Sequence, residues 1–153
     1  MRNLRTRLAK LAVAAVVGAS VVVGVPGTAS AGTCTTPGCG GEIDNSSGMD
    51  VRIANNWCWG VWHSDTYYGD KLPCVDNPGS WGSYRADVEL PPGDKSRNHY
   101  YYYDTDSVRA YKGCVTMWSG WGSGNTLDRR GKSSMWVKVY DWGHLNVFSI
   151  RCG

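Results

Sequence analysis

The sequence has little of what a helical protein uses for its core. It contains one Phe and few Leu, but eight Trp, nine Tyr and 20 Gly among its 153 residues. Apolar residues nowhere recur at the i, i+3, i+4, i+7 spacing of an amphipathic helix over three turns. These absences exclude a helix bundle and direct attention to strands and turns.

The motifs of common hydrolases and zinc sites are also missing. No serine lies in G-x-S-x-G, because Trp121 stands where Ser123 would need a glycine. Residues 63–65, His-Ser-Asp, have the types of a catalytic triad, but contiguous residues cannot stack as nucleophile, base and orienting group. No C-x-x-C occurs, and the three histidines are scattered. We therefore predict no catalytic residue, no metal and no cofactor, and hence no enzyme.

The first 31 residues have the features of a cleavable secretory signal. Four cations precede an apolar stretch from Leu11 to Val25, and residues 29–31, Ala-Ser-Ala, are small at the positions that signal peptidase reads. The apolar stretch is shorter than the roughly 20 residues that a membrane span needs. We expect cleavage near Ala31, an extracellular protein and no membrane span after cleavage.

Removal of this segment changes the charge balance. Four of the 16 Lys and Arg residues lie in it, which leaves 12 against 13 Asp and Glu in residues 32–153. A nearly neutral chain has no compositional basis for nucleic-acid binding. Other secreted proteins, or a glycan, are the expected partners.

All six cysteines lie after the signal, and an even number in a short exported chain predicts a disulfide framework. Six cysteines allow 15 pairings. Proximity along the chain favours the pairs Cys34–Cys39, Cys58–Cys74 and Cys114–Cys152.

Short stretches of alternating or β-favouring residues, separated by Gly, Pro, Asn and Asp, predict strands. These stretches are 49–53, 86–90, 100–103, 108–111, 114–118, 135–140 and 145–150. The last two predict a hairpin, and the Gly- and Ser-rich residues 119–134 predict a long exposed loop. We expect an all-β fold, a small disulfide-stapled sandwich or open barrel with an extended N-terminal strap. The expected division is signal peptide 1–31, strap 32–48 and one β domain 49–153.

Two features are candidates for partner binding. The strap could add a strand to a partner's sheet, with Glu42, Ile43 and Asp44 in contact and Ile43 as anchor; a disordered terminus is the alternative. Eighteen aromatic residues are many for a core of this size, and Trp and Tyr favour positions with one wet edge. Exposed rings suit a protein interface or sugar stacking, whereas their use in the core is the other interpretation. The aromatic candidates are Trp57, Trp59, Tyr101 and Tyr103.

Three further motifs each have two interpretations. The turn at residues 104–106, Asp-Thr-Asp, is a calcium site or a turn held by its own side chains. Residues 45–47, Asn-Ser-Ser, match the glycosylation sequon, and the other interpretation is an unmodified polar stretch of the strap. The loop around Arg129 and Arg130 is a protease bait or a solvated loop.

Four short segments carry a resemblance to a family. They are residues 39–45 (Cys-Gly-Gly-Glu-Ile-Asp-Asn), 90–93 (Leu-Pro-Pro-Gly), 103–106 (Tyr-Asp-Thr-Asp) and 113–114 (Gly-Cys). Together they resemble small secreted actinobacterial cysteine-containing β proteins, a group that includes the adaptor subunit of umbrella toxin particles. The resemblance implies a non-enzymatic bridging role between larger toxin-complex subunits, with the strap inserted into a partner's cleft.

The functional expectation is therefore a secreted, non-catalytic binding or adaptor protein. The alternatives are a glycan-binding or antimicrobial protein that uses exposed Trp and Tyr, and a protease inhibitor that uses the Arg129-Arg130 loop.

Overall fold

A computed structural model describes residues 34–58, 64–120, 123–141 and 143–153. The expected signal peptide and Trp59 lie outside these residues. Within them, the chain forms ten strands and two short 3-10 turns, at Ser96–Asn98 and Tyr100–Tyr102. The strands are β1 (Glu42–Asn45), β2 (Val51–Ala54), β3 (Thr66–Tyr68), β4 (Asn77–Pro78), β5 (Ala86–Leu90), β6 (Ser107–Ala110), β7 (Cys114–Gly120), β8 (Ser123–Asp128), β9 (Met135–Lys138) and β10 (His144–Cys152).

The strands form two sheets. Sheet A has the order β1-β10-β7-β8, and sheet B has the order β3-β9-β6-β2-β5-β4. The β1–β10 and β4–β5 pairs are parallel and the other pairs are antiparallel. The sheets are not closed into a barrel. The prediction of an all-β, disulfide-stapled fold is confirmed, in its sandwich form.

Inward residues of both sheets share one core. In sheet A, Ile43 lies opposite Leu145, and in sheet B, Ile53 lies opposite Val88; all four are buried. Burying each such side chain stabilises the fold by roughly 1.5–3 kcal/mol. The full cluster is Ile43, Val51, Ile53, Val88, Leu90, Tyr102, Val108, Trp118, Val139, Leu145 and Val147.

A second, smaller core lies under the loop between β3 and β4. Trp57 and Trp136 pack there with Leu72 and Val75, and the Cys58–Cys74 disulfide fastens the loop to them. The other two disulfides are Cys34–Cys39 and Cys114–Cys152. All three predicted pairs are therefore confirmed.

Strand β1 lies inside the segment that we expected to be an extended strap. Its outer edge is occupied, because the Asn45 N–H donates to the Asp94 carbonyl (2.9 Å) and the Gly93 N–H donates to the Asn45 carbonyl (2.7 Å). The Ile43 N–H donates to Ser96 Oγ (3.0 Å). Residues 42–45 are thus part of the chain's own sheet, with no free edge for a partner's strand.

Three local predictions were wrong. Residues 135–138 and 144–152 are strands, but they belong to different sheets, so no hairpin forms and the chain crosses the sandwich between them. Residues 119–134 contain strand β8 rather than one long loop. Residues 100–102 form a 3-10 turn instead of a strand. In each case tertiary packing overrides local β or turn preference.

Candidate functional site

A group of tyrosines covers the surface above the second 3-10 turn. We call Tyr84, Tyr100, Tyr101 and Tyr103 the tyrosine patch. A 3-10 turn has three residues per turn, so successive side chains point in three directions. Tyr102 points into the core and is fully buried, whereas Tyr100 is 50% exposed. A strand would have put two tyrosines on each face; the turn instead buries Tyr102, exposes Tyr100 and leaves the other two partly buried.

The rings of the patch contact one another edge to face. Tyr101 lies 4.8 Å from Tyr84 and 5.0 Å from Tyr100 between ring centroids, with interplanar angles of 80° and 85°. Tyr103 lies 5.6 Å from Tyr100 at 74°. Such pairs contribute about 0.5–1.5 kcal/mol each beyond area burial. The rings therefore hold one another in place while Tyr84 and Tyr100 keep large exposed surfaces.

The buried side chain of Asn55 holds the two segments that carry the patch. Its Nδ2 donates to the Ser83 carbonyl (3.0 Å) and to the Tyr101 carbonyl (2.9 Å). Its Oδ1 accepts a hydrogen bond from the Ala86 N–H (2.8 Å). One side chain just after β2 thus ties the backbones on both sides of the patch to sheet B.

Trp81 and His99 form a second aromatic pair on the core side of the patch. Their rings stack with centroids 3.9 Å apart, and Trp81 meets the edge of buried Tyr102 at 5.1 Å. His99 Nε2 lies 2.7 Å from Asp94 Oδ2. These contacts connect the 3-10 turn to Trp81 and Asp94.

The strap residues that the sequence nominated for partner binding are engaged within the chain. Ile43 is fully buried, and Glu42 is buried and paired with Arg97 (3.1 Å). Asp44 pairs with Lys95 (3.0 Å) and with His144 Nε2 (3.2 Å). Ile43 packs in the core of its own chain, so it does not serve as the anchor for a partner that the sequence predicted.

The aromatic residues that the sequence predicted to bind a partner do not all lie in one environment. Trp57 is buried in the second core. It therefore follows the other interpretation of the aromatic excess, in which the rings fill the core. Tyr101 and Tyr103 are partly buried, Tyr101 against the main core cluster, and their rings belong to the patch. Sequence reasoning missed Tyr84 and Tyr100, the two most exposed members. Tyr100 belongs to the same four-tyrosine run, but a strand assignment gave no reason to prefer it.

Two segments that are distant in the sequence meet at a cluster of carboxylates. Asp104, Asp106 and Asp141 bring carboxylate oxygens within 4.8 Å of one another. The Gly41 N–H donates to Asp104 Oδ1 (3.2 Å). A Cβ on Gly40 would lie 2.1 Å from that same oxygen. The Cys-Gly-Gly and Asp-Thr-Asp segments are therefore complementary in shape.

Burial makes this cluster electrostatically costly. It raises the pKa of Asp106 well above the usual value, and the charges of Asp104 and Asp141 raise it further. The pKa of Asp104 is also raised, chiefly by burial. Burial lowers the pKa of Lys138, although the surrounding carboxylates oppose that effect. Three carboxylate oxygens within 4.8 Å of one another have the chemistry and spacing of ligands for a hard cation.

Replacing Asp106 by Asn is expected to stabilise the protein at neutral pH. Because the folded-state pKa of Asp106 lies above its ordinary 3.8, the folded state binds its proton more tightly and stability falls as pH rises through that pKa. The variant lacks this loss, and its amide oxygen still accepts the Trp57 N–H that bonds Asp106. We expect Tm at pH 7 to rise by a few degrees, with the advantage shrinking toward pH 4. Thermal unfolding followed by circular dichroism at several pH values measures the difference.

The matched control is Asp50→Asn, at an exposed position. Its Tm should differ little from that of the wild type at pH 7. An Asp106→Asn protein that is less stable than the wild type at pH 7 would mean that the carboxylate is stabilised by a partner such as a cation.

Two remaining motifs are used for structure. Asn45 of the sequon is buried, and its Nδ2 donates to the carbonyls of Met49 (2.9 Å) and Leu90 (2.8 Å), so the folded chain does not present it for glycosylation. Arg129 is buried and donates through Nε to the Ser133 carbonyl (2.8 Å). Arg129 is therefore held inside its own turn, whereas the Arg130 side chain is 61% exposed and pairs with Asp128 (2.6 Å).

In the part of the chain that the structure describes, no helix is long and apolar enough to cross a membrane. No protein-family model, no curated protein and no solved structure matches the chain.

Proposed function

We propose that this protein is a secreted, non-catalytic binding module that docks a partner protein on its tyrosine patch. The observation that carries the proposal is the patch itself, in which Tyr84 and Tyr100 expose 42% and 50% of their surface. The backbone that carries these rings is held by the hydrogen bonds of Asn55. Tyrosine is enriched in protein interfaces because it offers apolar area and a hydrogen-bonding edge. The three disulfides support secretion, because such bonds persist in oxidising compartments.

The ring geometry favours a protein over a flat polysaccharide. Stacking on the surface of a polysaccharide needs rings that share a plane, whereas these rings meet at 74–85°. An uneven surface of ring faces and edges suits the varied side chains of a protein. We therefore prefer the protein-binding hypothesis to the glycan-binding one.

The patch is also ready to bind without rearrangement. Ordering a flexible side chain at an interface costs about 0.5–1.5 kcal/mol. Here Asn55 holds the backbone, and each ring packs against a neighbour. Most of that cost is met when the protein folds, as in paratopes rich in rigid tyrosines.

An adaptor role within a larger secreted complex, which the family resemblance implies, requires a second contact surface. Since residues 42–45 belong to sheet A, the candidate within the strap is its more N-terminal part. Residues 35–38 are exposed and are closed into a loop by the Cys34–Cys39 disulfide. We place the strap's contribution to an adaptor in this loop.

Affinity capture from the native culture supernatant, followed by mass spectrometry, tests the proposal. A single Tyr100→Ala substitution should reduce the captured partner at least about tenfold, since truncation of a central interface tyrosine costs about 2 kcal/mol. The matched control is Phe148→Ala, which removes an aromatic ring of similar exposure (42%) from sheet A and should leave capture unchanged. Equal capture by both variants would contradict the proposal, as would retention on a polysaccharide matrix with no captured protein.

A further inference from the structure

One residue beside the tyrosine patch has a backbone conformation that its side chain disfavours. Arg85 has a φ of 54°, whereas every other residue with positive φ in the described part of the chain is a glycine. In this left-handed region a Cβ comes too close to a carbonyl oxygen, so residues other than Gly, Asn and Asp rarely adopt it. Arg85 lies between Tyr84 of the patch and Ala86, the first residue of β5.

The alternation of side chains along β5 shows what this conformation changes. Successive side chains of a strand point to opposite faces, and Val88 and Leu90 point into the main core. Ala86, on the same face, is fully buried. An extended residue at position 85 would continue this alternation and place Tyr84 on the buried face as well. Tyr84 is instead 42% exposed, so the alternation is broken at Arg85.

Hydrogen bonds from the neighbouring segment hold the backbone in this conformation. The Arg85 carbonyl accepts from the N–H groups of Asp76 (2.8 Å) and Asn77 (3.2 Å). The Tyr84 carbonyl accepts from Asn77 Nδ2 (3.0 Å), and the residues on either side of this pair are held by Asn55, as described above. A disfavoured conformation persists where its surroundings determine it from several directions.

We propose that Arg85 is the positioning residue of Tyr84 within the tyrosine patch. Its left-handed backbone directs Tyr84 away from the core face of β5 and against the ring of Tyr101, at 4.8 Å and 80°. Strained residues cluster at binding sites, where the strain contributes to function. The benefit of this strain rests on the proposed function, because a partner needs Tyr84 exposed, but the placement of the ring can be tested on the protein alone.

The side-chain contacts of Arg85 are too weak to explain the placement of Tyr84. Arg85 Nε pairs with Asp76 (3.0 Å), but both side chains are more than half exposed, and an exposed ion pair contributes little to stability. Its other contact, with the Cys74 carbonyl, is long at 3.4 Å. We therefore attribute the placement to the backbone conformation of Arg85 rather than to its guanidinium.

Two substitutions at position 85 separate the backbone from the side chain. Arg85→Gly removes the guanidinium but permits positive φ. Arg85→Pro also removes it but fixes φ at about −65°, and it deletes no hydrogen bond, since the Arg85 N–H donates none in the described structure. Nuclear Overhauser effects between the rings of Tyr84 and Tyr101, measured on the isolated secreted chain, should persist in the wild type and in Arg85→Gly. They should be lost in Arg85→Pro.

A third substitution keeps the test decisive if Arg85→Pro does not fold. In Arg85→Val, the β-branched side chain strongly disfavours positive φ, and the same effects should fall to less than about half of their intensity in Arg85→Gly. The dispersion of the proton spectrum shows which variants are folded. The inference is overturned if a folded Arg85→Pro or Arg85→Val protein keeps the wild-type intensities, or if Arg85→Gly loses them.

Partner capture distinguishes a failure of this inference from a failure of the proposed function. Arg85→Pro should reduce capture as much as Tyr84→Ala does, and Arg85→Gly, which permits the native backbone, should rescue it. Loss of the ring-to-ring effects with full capture by both Arg85→Pro and Tyr84→Ala would contradict the use of Tyr84 by a partner. The positioning of Tyr84 by Arg85 would still be supported in that case.

Discussion

Replacing Gly41 by Ala should be strongly destabilising although it removes no side-chain contact. A Cβ at this position would lie 2.5 Å from the Thr105 carbonyl oxygen and 2.8 Å from Val139 Cγ1. Both neighbours are buried, and the Thr105 backbone is fixed because its N–H donates to the Gly41 carbonyl (2.7 Å). The methyl group can be accommodated only by separating β1 from the 104–106 turn. We expect a loss of roughly 3 kcal/mol in the free energy of unfolding.

Chemical denaturation followed by tryptophan fluorescence measures this loss, and Gly48→Ala is the matched control. A Cβ on Gly48 would have no atom within 4 Å, and the backbone there has no positive φ, so the control should change stability by less than about 0.5 kcal/mol. Equal stability of Gly41→Ala and the wild type would show that the strap does not pack against the turn.

Replacing Asn55 by Ala should be nearly as costly, and it should also disturb the tyrosine patch. The substitution leaves three backbone groups without their partner: the carbonyls of Ser83 and Tyr101 and the N–H of Ala86. Each buried group left unsatisfied costs about 1–3 kcal/mol, less where water can enter. We expect a total loss of about 3 kcal/mol. The near-ultraviolet circular dichroism of the tyrosines should weaken in the fraction that stays folded, because Tyr84 and Tyr101 lose their common support.

The control for this substitution is Asn77→Ala. Its Nδ2 donates to the Tyr84 carbonyl (3.0 Å) at an exposed position, so one solvated bond is lost and the effect should stay below about 1 kcal/mol. If Asn55→Ala and Asn77→Ala were equally mild, Asn55 would not be the positioning residue of the patch.

Much of the fold was accessible from local sequence pattern. The alternation Val51-Arg52-Ile53 predicts the strand that the structure contains, because one face of sheet B is buried and the other is solvated. The three disulfides join the cysteines that are nearest along the chain. These predictions succeed because a disulfide between neighbouring cysteines and the alternating burial of a strand both depend on residues that are close together in the sequence.

What failed depended on contacts between distant residues. Residues 135–140 and 145–150 alternate between apolar and polar as the strands of a hairpin would. The sheet that each strand joins depends instead on its partners, β6 for the first strand and β1 and β7 for the second. The pattern within the two segments contains no information about these partners. The four-tyrosine run has strong β preference. The bonds from Asn55 to Tyr101 and from Thr105 Oγ1 to the Tyr102 carbonyl (3.0 Å) hold it as a turn. Asn55 itself lies 46 residues from Tyr101 along the chain and carries no motif.

The candidate site was therefore found only in part. Composition indicated that some aromatics would be exposed, and Tyr101 and Tyr103 were among those nominated. The strap was the more obvious candidate because its polar composition resembles that of a free terminus. Its one apolar residue in β1, Ile43, nevertheless lies in the core opposite Leu145, and Asn45 is buried opposite Val147.

The measurement that tests the proposed function most directly is oxidative footprinting of the tyrosines with and without the captured partner. Tyr84 and Tyr100 should lose reactivity in the complex, whereas Tyr68 and Tyr140, which are exposed elsewhere on the molecule at 60% and 44%, should react as they do in the free protein. Protection of Tyr68 or Tyr140 with Tyr84 and Tyr100 unchanged would place the binding surface elsewhere and contradict the proposal.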